Sequence, residues 1–433
     1  MNNDRLNREY QECIEFLFSR LPMYQRIGKA AYKADLNNII SLCNYLGNPQ
    51  DNLKFIHVAG TNGKTSVSHY LASIFEKAGY KTGLYTSPHL IDFRERILVN
   101  SKMIDKKYVC DFVEKHKDFI LDCQPSFFEI TVAMAFQYFK DENINCAIIE
   151  VGLGGRLDST NIINPELSVI TNIGFDHTEF LGNDLKSIAG EKAGIIKENT
   201  PIIISETQDD IKDVFIDKAK NLNATIFFAD KIIEVSNIEH SIDNLQLQCF
   251  SSFSNNHYNL SSNLAGLYEV KNIRAVVLAI EILRGRFNIS DEALIAGLHS
   301  TVLRGRWEKL GNDPLVICDT GHNVDGIKEV VNCLTSLEYN KLHIVIGAVG
   351  DKDLDNIIQL LPKDATYYFC KPSIPRGMDV EVLKSKFETV KITGESFPSC
   401  YDAYLAAKEN ADKNDVIFIG GSTFVVADVL EKI

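Results

Sequence analysis

The sequence predicts an α/β protein with a doubly wound, mostly parallel sheet and a second, smaller, Rossmann-like α/β domain. Three observations predict this class. Short apolar runs alternate with stretches whose apolar residues recur at helical spacing, as in parallel sheets covered by helices. A glycine-containing segment separates the first such strand from the first such helix. The chain of 433 residues is too long for a single core.

The first half supplies five strands and the helices that connect them, after an N-terminal helical region. Strands are expected at residues 54–59, 82–87, 145–151, 167–173 and 201–205, and helices at 67–78, 128–139, 184–197, 264–284 and 290–299. Residues 206–262 are less regular and richer in Asn and Ser, and we assign no chemistry to them.

The second half begins a new alternating series. Its strands are expected at 315–320, 341–349, 365–370 and 415–422, with helices between them. We therefore place a domain boundary near residue 300, with one domain over residues 1–300 and a smaller one over 301–433.

The composition excludes several classes of protein. Hydrophobic residues make up 45% and charged residues 24% of the chain, which is typical of a globular protein. A net charge of −13 argues against general binding to nucleic acid or anionic membranes. Ten cysteines without a C-x-x-C pair indicate neither a zinc site nor a disulfide framework. No apolar run suits a signal peptide or a membrane span, so we expect a cytoplasmic protein.

Residues 55–69, FIHVAGTNGKTSVSH, predict a phosphate-binding loop between the first strand and the first helix. The strict pattern GxxxxGK[ST] fails, because Val58 occupies its first glycine position and Gly60 comes two residues late. Glycines nevertheless let backbone N–H groups turn inward at the positive end of a helix, where phosphate binds. The alternative is an ordinary strand–helix turn with a solvated lysine. The residues assigned to phosphate are Gly60, Thr61, Asn62, Gly63, Lys64, Thr65 and Ser66.

Three further strand ends carry residues suited to phosphate or metal, and such ends meet at one edge of a parallel sheet. Ser87 follows the second strand, Glu150 ends the third, and Asp176 and His177 follow the fourth. Glu150 stands where a P-loop enzyme holds a magnesium-binding acid, and a carboxylate in an apolar strand is costly unless paired. Each residue also has a structural alternative. Glu150 could be a salt-bridged structural acid, Ser87 a turn residue and His177 a hydrogen-bonded structural histidine.

Segments along the chain resemble the folylpolyglutamate synthase/dihydrofolate synthase family, a branch of the Mur ligase superfamily. In the first half they are GTNGK (60–64), YTSPHL (85–90), RERI (94–97), FFEIT (127–131), EVGLGGRLDSTN (150–161), DHTEFLG (176–182) and EKAGIIK (191–197). In the second half they are GRWE (305–308), CDTGHN (318–323), GAVGDKD (347–353), PRG (375–377) and GGSTFVVADVL (420–430). The resemblance implies a P-loop ATPase-type domain of the Mur ligase central type, followed by a Mur ligase C-terminal-type, glutamate-ligase domain.

The resemblance implies ATP-dependent amide formation between a pterin-linked carboxylate and the amino group of L-glutamate. A carboxylate resists nucleophiles at pH 7, because it is anionic and has no leaving group. Transfer of the γ-phosphoryl group of ATP yields an acyl phosphate, which the glutamate amine attacks with departure of phosphate. Whether dihydropteroate, folates or both are accepted stays open.

The resemblance also implies the metal and catalytic residues. Ser87, Glu150 and His177 hold Mg²⁺. Lys192, in SIAGEKAGIIK, would from spacing alone be an exposed helix lysine, but the matching lysine in the family is carbamylated to N6-carboxylysine and helps hold a second metal ion. The catalytic residues are Lys64, Lys192 and His177.

Two further sets of residues take roles from the resemblance. ATP also contacts Asn272, Arg306, Asp319 and His322, although without the family a loop-stabilising polar role would be the simpler interpretation. The pterin or folate pocket comprises Phe127, Phe128, Glu129, Leu157, Asp158 and Ser159.

Four positions depart from the family's usual pattern. Thr65 replaces a glycine, Arg304 a proline and Ser159 an alanine, and Glu269 stands where glutamine is frequent. None of these changes removes a chemical group from the predicted site.

Two other functions compete with this interpretation. Another Mur-type ligase would add an amino acid to a UDP-linked cell-wall precursor, but only 59 residues precede Gly60, too few for a typical nucleotide-sugar-binding domain. A P-loop switch without chemistry would not explain the second α/β domain. We expect a monomer whose partners are small-molecule substrates (ATP, L-glutamate and a pterin acid), with neither nucleic acid nor membrane.

Overall fold

The computed structural model describes residues 2–21, 35–350 and 354–433, and the chain forms two compact units. The first unit comprises Met1–Asn237, Leu247–Ser261 and Val270–Thr301, and the second comprises Ile238–Gln246, Ser262–Glu269 and Val302–Ile433. The boundary near residue 300 stays a prediction. Residues 351–353, the end of the GAVGDKD segment, lie outside the described residues.

The first unit alternates strands and helices along the chain. Its strands are β1 (Phe55–Ala59), β2 (Thr82–Tyr85), β3 (Ile97–Val99), β4 (Lys102–Met103), β5 (Cys146–Glu150), β6 (Leu167–Ile170), β7 (Ile202–Ile204) and β8 (Ile226–Phe228). Its helices are α1 (Asn2–Arg20), α2 (Asn37–Tyr45), α3 (Lys64–Lys77), α4 (Lys106–Cys123), α5 (Phe127–Asp141), α6 (Thr178–Leu181), α7 (Leu185–Lys192), α8 (Lys212–Asn221), α9 (Ala229–Ile232), α10 (Glu269–Leu283) and α11 (Asp291–Ser300).

These eight strands form one sheet in the order β4-β3-β2-β5-β1-β6-β7-β8. In this order, neighbouring strands are parallel over β2-β5-β1-β6-β7-β8. Strands β3 and β4 pair antiparallel at one edge of the sheet. Strands β1 and β5 are buried at every residue, as expected for a parallel sheet covered on both faces. The predicted doubly wound, mostly parallel sheet is therefore confirmed.

Three strands between residues 233 and 262 were missed by the sequence prediction. They are β9 (Ile233–His240), β10 (Leu245–Ser251) and β11 (Asn256–Ser262), and they form a separate sheet in the order β11-β10-β9. Buried and exposed residues alternate along β10. That period of two was the available signal, and polar side chains on the exposed face obscured it.

The second unit carries a six-stranded sheet. Its strands are β12 (Glu308–Asn312), β13 (Leu315–Cys318), β14 (Leu342–Ile346), β15 (Thr366–Cys370), β16 (Gly394–Phe397) and β17 (Val416–Gly420). Its helices are α12 (Val324–Thr335), α13 (Leu354–Leu360), α14 (Val380–Glu388), α15 (Cys400–Asn410) and α16 (Thr423–Leu430). The sheet order is β12-β13-β17-β14-β15-β16, antiparallel only at β12 and otherwise parallel. This arrangement confirms a Rossmann-like α/β second half.

Within residues 2–21, 35–350 and 354–433, every helix is too short or too polar to cross a membrane.

Candidate active site

The glycine loop between β1 and α3 has a backbone that only glycine adopts readily at two positions. Gly60 has φ +146° and Gly63, the residue before α3, has φ +84°. A Cβ at Gly60 would lie 1.8 Å from the Thr171 hydroxyl oxygen, and one at Gly63 would lie 2.3 Å from Oδ1 of Asn272. Both glycines are therefore required by close packing as well as by φ, and Asn272 lies against the loop.

The segment that follows β6 fixes the conformation of the loop. The backbone N–H of Thr61 donates to the carbonyl of Asn172 (2.9 Å), and the N–H of Asn62 donates to the Asn172 side-chain oxygen (2.8 Å). The Thr171 hydroxyl donates to the Asn62 carbonyl (2.5 Å). The sequence prediction did not include Thr171 and Asn172. Their place directly after a buried strand beside β1 was the only signal.

Two lysines donate to one carbonyl of this loop. Nζ of Lys64 lies 3.0 Å and Nζ of Lys192 lies 2.8 Å from the carbonyl oxygen of Gly60. Lys64 also donates to the carbonyl of Thr61 (3.0 Å). Two cations sharing one neutral acceptor repel each other, so this arrangement suits a site that binds an anion.

Lys192 is buried, contrary to what its spacing alone indicated. Its side chain is 4% exposed at the end of α7. Burial and the neighbouring charge of Lys64 lower the pKa of Lys192 to about 7, although Asp176 and Asp158 act in the opposite direction. A substantial fraction of this amine is therefore uncharged near neutral pH, and an uncharged amine is a nucleophile.

The loop after β5 holds the backbone around Lys192 in place. The N–H of Arg156 donates to the carbonyl of Glu191 (2.8 Å), and its guanidinium pairs with the Glu191 carboxylate (2.9 Å). A Cβ at Gly155 would lie 2.8 Å from the Glu191 carbonyl and 3.0 Å from that of Lys192. This close approach, which requires a glycine, brings the GLGGRLDSTN segment against the end of α7.

The strand ends that the sequence singled out lie side by side at the carboxyl edge of the sheet. Glu150 pairs in register with Val58 of β1, and the preceding Ile149 pairs with Tyr85 of β2, two residues before Ser87. Glu150 is 1% exposed, and its Oε1 accepts from the Thr65 hydroxyl (3.0 Å). The departure at Thr65 thus places a hydroxyl on the predicted metal-binding carboxylate.

Asp176 and His177 lie beyond the end of β6, before α6. The backbone N–H of His177 donates to Oδ1 of Asp176 (3.0 Å), and its imidazole Nε2 lies 3.9 Å from Oδ2. His177 has φ +51°, a left-handed conformation that is uncommon outside glycine. The charge of Asp176 raises the pKa of Lys192, against the larger effect of burial.

Among the described residues, no three His, Cys, Asp or Glu side chains form a group that could hold a metal ion. The predicted set of Ser87, Glu150, His177 and Lys192 contains only two residues of those types. A hydroxyl, a carboxylate and an imidazole suit a divalent ion that takes part of its coordination from ATP phosphates. The donors therefore fit such an ion without forming a closed protein cage.

Three of the residues assigned to the pterin pocket, Phe127, Phe128 and Glu129, lie in the first turn of α5. The Phe127 ring packs against Phe18 (5.2 Å between centroids), and Phe128 lies 6.1 Å from the Tyr85 ring. The Glu129 carboxylate accepts from the backbone N–H of Ser126 (2.6 Å) in a capping box that starts α5. Its proposed role in the pocket has to be compatible with this contact.

Asp158 organises the loop that contains the remaining pocket candidates, Leu157 and Ser159. Its Oδ2 accepts from the N–H of Leu153 (2.8 Å), and its Oδ1 accepts from the N–H (3.0 Å) and hydroxyl (2.5 Å) of Thr160. Burial raises the pKa of Asp158 despite these hydrogen bonds. Leu157 is partly exposed and Ser159 is buried.

In the second unit, Asp319 is the centre of a hydrogen-bonded cluster. Its carboxylate accepts from the Tyr268 hydroxyl (2.5 Å) and from the backbone N–H groups of Trp307 (2.9 Å) and Gly321 (2.7 Å). Arg306 Nη1 lies 3.9 Å from Oδ1 of Asp319. Nδ1 of His322 lies 2.9 Å from the carbonyl of Thr320. These contacts organise the loops around β13, and the assignment of Arg306, Asp319 and His322 to ATP stays a prediction.

Two protein-family models match the chain. The Mur ligase middle domain matches residues 58–280, and the Mur ligase glutamate ligase domain matches residues 305–423.

Curated relatives match over almost the whole chain. A dihydrofolate synthase/folylpolyglutamate synthase of Bacillus subtilis is 32% identical over 98% of this chain and 99% of its own length. A probable bifunctional folylpolyglutamate synthase/dihydropteroate synthase of Haloferax volcanii is 31% identical over 97% of this chain. The chain spans only 50% of the length of that archaeal relative.

Solved structures share the fold across both units. Escherichia coli FolC in complex with DHPP and ADP has a TM-score of 0.86 and 28% identity, covering 98% of this chain and 97% of its own. A bifunctional folylpolyglutamate synthase/dihydrofolate synthase with Mn, AMPPNP and L-glutamate bound has a TM-score of 0.79 and 28% identity, covering 92% of this chain and 94% of its own.

Proposed function

The chain belongs to the folylpolyglutamate synthase/dihydrofolate synthase family of Mur ligases, and from this membership we propose that it joins L-glutamate to a pteroate- or folate-type carboxylate with consumption of ATP. It is a carbon–nitrogen ligase that uses ATP and a divalent metal ion. The observation that carries the proposal is the glycine loop, whose Gly60 carbonyl accepts from both Lys64 and Lys192 and whose Thr65 hydroxyl donates to Glu150.

The glycine loop and the start of α3 bind the ATP phosphates in this proposal. Backbone N–H groups at the beginning of a helix and the positive end of its dipole attract phosphate oxygens. The Lys64 amine, now bound to the Gly60 and Thr61 carbonyls, supplies a mobile positive charge for the γ-phosphate. The substrate carboxylate attacks that phosphorus, ADP departs and an acyl phosphate forms.

The second step requires an uncharged amine and a good leaving group. The amino group of L-glutamate attacks the acyl carbon, and phosphate leaves from the tetrahedral intermediate, so the products are the amide, ADP and phosphate. The metal ion, when bound, neutralises phosphate charge so that two anions can approach. Ser87, Glu150 and His177 are the proposed ligands of the first of two magnesium ions.

Lys192 is the proposed site of an N6-carboxylysine. Its uncharged amine would attack carbon dioxide, forming a carbamate and releasing one proton. The product carries a negative charge beside Lys64, so the repulsion between two ammonium groups becomes an attraction. The carbamate oxygens would then help hold a second magnesium ion.

A Lys192→Ala variant tests the carbamate. We expect it to fold and to lose almost all turnover, at least about a hundredfold, because a ligand and a charge partner of Lys64 are removed together. Addition of a short carboxylate such as acetate or propionate should restore part of the activity, because its oxygens can occupy the space of the carbamate. Near-normal turnover of the unrescued variant would remove the carbamate from the mechanism.

The function itself is tested by phosphate release from ATP in the presence of L-glutamate. Dihydropteroate, tetrahydrofolate and a UDP-linked muropeptide would be compared as acceptors. We expect release only when glutamate and a pterin acid are both present, and none after chelation of divalent ions. Release with L-glutamate and the muropeptide, but with neither pterin acid, would support the cell-wall alternative. The match to folate enzymes over nearly the whole chain does not favour that alternative.

A further inference from the structure

Gln208 lies in the part of the chain to which the sequence assigned no chemistry, and it contacts the segment that fixes the glycine loop. The side-chain oxygen of Gln208 accepts from the backbone N–H of Ile173 (2.9 Å), and its side-chain nitrogen donates to the Ile173 carbonyl (2.8 Å). The amide therefore pairs with Ile173 as a neighbouring strand would. Its orientation is determined, because only this one matches a donor and an acceptor at both positions.

Ile173 stands between Asn172 and Gly174, which both bind the glycine loop. Asn172 accepts from the N–H groups of Thr61 and Asn62. Gly174 exchanges two hydrogen bonds with the Thr61 side chain, at 3.0 and 3.2 Å. Ile173 is 3% exposed, so without Gln208 its polar backbone groups would have to be satisfied by a shift of this segment or by water.

Gln208 itself is held in place by its neighbours. The N–H (3.1 Å) and hydroxyl (2.7 Å) of Thr207 donate to the Asp230 carboxylate, and the Gln208 carbonyl accepts from the N–H of Lys212 (2.9 Å) at the start of α8. Glu206 pairs with Lys271 (3.0 Å), the residue beside Asn272 on α10. A side chain anchored in this way can transmit position to the segment it touches.

We propose that Gln208 is a positioning residue for nucleotide binding, which acts through Ile173 to hold Asn172 and Gly174 against the glycine loop. This inference rests on the proposed function, because it assumes that the loop binds ATP. Gln208 touches no substrate. Its contribution is to keep the Thr61 and Asn62 amides bound to Asn172, so that the N–H groups at the start of α3 are in position for phosphate before the nucleotide arrives. Pre-organised donors bind without a reorganisation cost.

The test compares three full-length variants. Gln208→Leu removes both hydrogen bonds to Ile173, and Gln208→Glu keeps the acceptor but loses the donor. Thr207→Val is the matched control, because it removes a hydrogen bond of the same segment to Asp230 without touching Ile173. The Kd of AMPPNP with Mn²⁺ would be measured by calorimetry well below each variant's unfolding midpoint, beside the KM values of ATP and of the pterin acid.

We expect Gln208→Leu, which loses two hydrogen bonds, to raise the Kd and the KM of the nucleotide about tenfold. Gln208→Glu loses one hydrogen bond and should raise them about threefold. The KM of the pterin acid should stay within about twofold, and Thr207→Val should leave nucleotide binding within about twofold of the parent protein. If Gln208→Leu does not fold, Gln208→Glu alone provides the comparison.

Unchanged nucleotide affinity in folded Gln208 variants would overturn the inference, and so would an equal loss of affinity in Thr207→Val. A merely structural role would lower the unfolding temperature and leave the Kd unaltered. Failure of the proposed function would look different, because the parent protein would then release no phosphate with any pterin acid.

Discussion

Gly63 and Gly79 have the same backbone conformation in different surroundings, which separates the cost of strain from the cost of lost function. Their φ angles are +84° and +85°. A Cβ at Gly63 would lie 2.3 Å from Oδ1 of Asn272, whereas one at Gly79 would meet nothing within 4 Å. Both substitutions to alanine therefore carry the same left-handed strain, and only one disturbs the glycine loop.

We expect Gly79→Ala to lower the free energy of unfolding by about 1 kcal/mol and to bind AMPPNP normally. Gly63→Ala should lower it more and should weaken AMPPNP binding at least about tenfold, because the loop and Asn272 must move apart. Urea unfolding and calorimetric titration give the two quantities. Equal affinities in the two variants would show that the contact at Gly63 has no part in binding.

At the scale of single residues, the sequence indicated which side chains could bind phosphate or metal, but it did not indicate their burial or their hydrogen-bond partners. The burial of Lys192 was missed, although a signal existed: Lys192 follows Ile188 by four residues and Ala189 by three, and both are fully buried on α7. The Thr65–Glu150 hydrogen bond joins residues 85 positions apart. No local pattern predicts such a contact, because it depends on β1 and β5 being neighbours.

At the scale of elements, β1 is joined to the loop after β5 by a chain of hydrogen bonds that starts at His57. The His57 Nε2 lies 2.9 Å from the Thr160 hydroxyl oxygen, and that hydroxyl lies 2.5 Å from Oδ1 of Asp158. An ionised Asp158 can only accept, so the Thr160 hydroxyl donates to it and the His57 Nε2–H donates to Thr160. His57 is fully buried, and burial, together with the charge of Lys197, lowers its pKa to about 3.

This lowered pKa predicts acid sensitivity of the fold. Below about pH 6.5 the unfolded chain protonates its histidine while the folded chain cannot do so until about pH 3, so stability falls as the pH falls through this window. Between pH 7 and pH 4.5, we expect His57→Gln to lose about 2–3 kcal/mol less stability than the parent protein. Urea unfolding at several pH values measures the difference.

The pH experiment needs a control variant, and a second histidine also contributes to the acid sensitivity of the fold. His257→Gln makes the same exchange at an exposed position of β11. Burial also lowers the pKa of His89 to about 3, beside Arg96, and His89 remains in every variant, so some acid sensitivity should persist. Equal pH dependence in the parent protein and His57→Gln would rule out the proposed burial of a neutral His57.

The elements that the sequence predicted are the buried ones. All five strands expected in the first half are found, because a strand inside a covered parallel sheet is an apolar run. The missed strands include β4 and β8, the edges of the first sheet, and β12 and β16, the edges of the second. Edge strands pack less of their surface, and none of these four has a fully buried residue pattern. Their composition therefore carries little signal.

At the scale of the whole molecule, the sequence indicated two α/β halves but not the contribution of earlier segments to the second unit. Residues 262–269 belong to that unit. The Tyr268 hydroxyl donates to Asp319, the N–H of Leu267 lies 3.4 Å from Sγ of Cys333, and Ala265 is part of the same apolar core. These contacts span more than 50 residues, so only the folded chain reveals them.

The single tryptophan allows the two units to be followed separately. Trp307 is 2% exposed in the apolar core of the second unit, with Ile317 and Phe418. Its fluorescence should therefore report the unfolding of that unit, whereas far-UV circular dichroism reports both. Because each unit has its own buried core, we expect the dichroism curve to contain a transition that tryptophan fluorescence does not follow.

AMPPNP with Mg²⁺ should assign that extra transition to the first unit, where the glycine loop lies. A ligand at about one hundred times its Kd adds about 2.7 kcal/mol to the unit that binds it. The transition invisible to tryptophan should then move to higher temperature. At the same nucleotide concentration the Gly63→Ala variant should show at most about half of this stabilisation, because its Kd is at least about tenfold higher. Superimposable dichroism and fluorescence curves, with and without nucleotide, would mean that the two units unfold as one cooperative body.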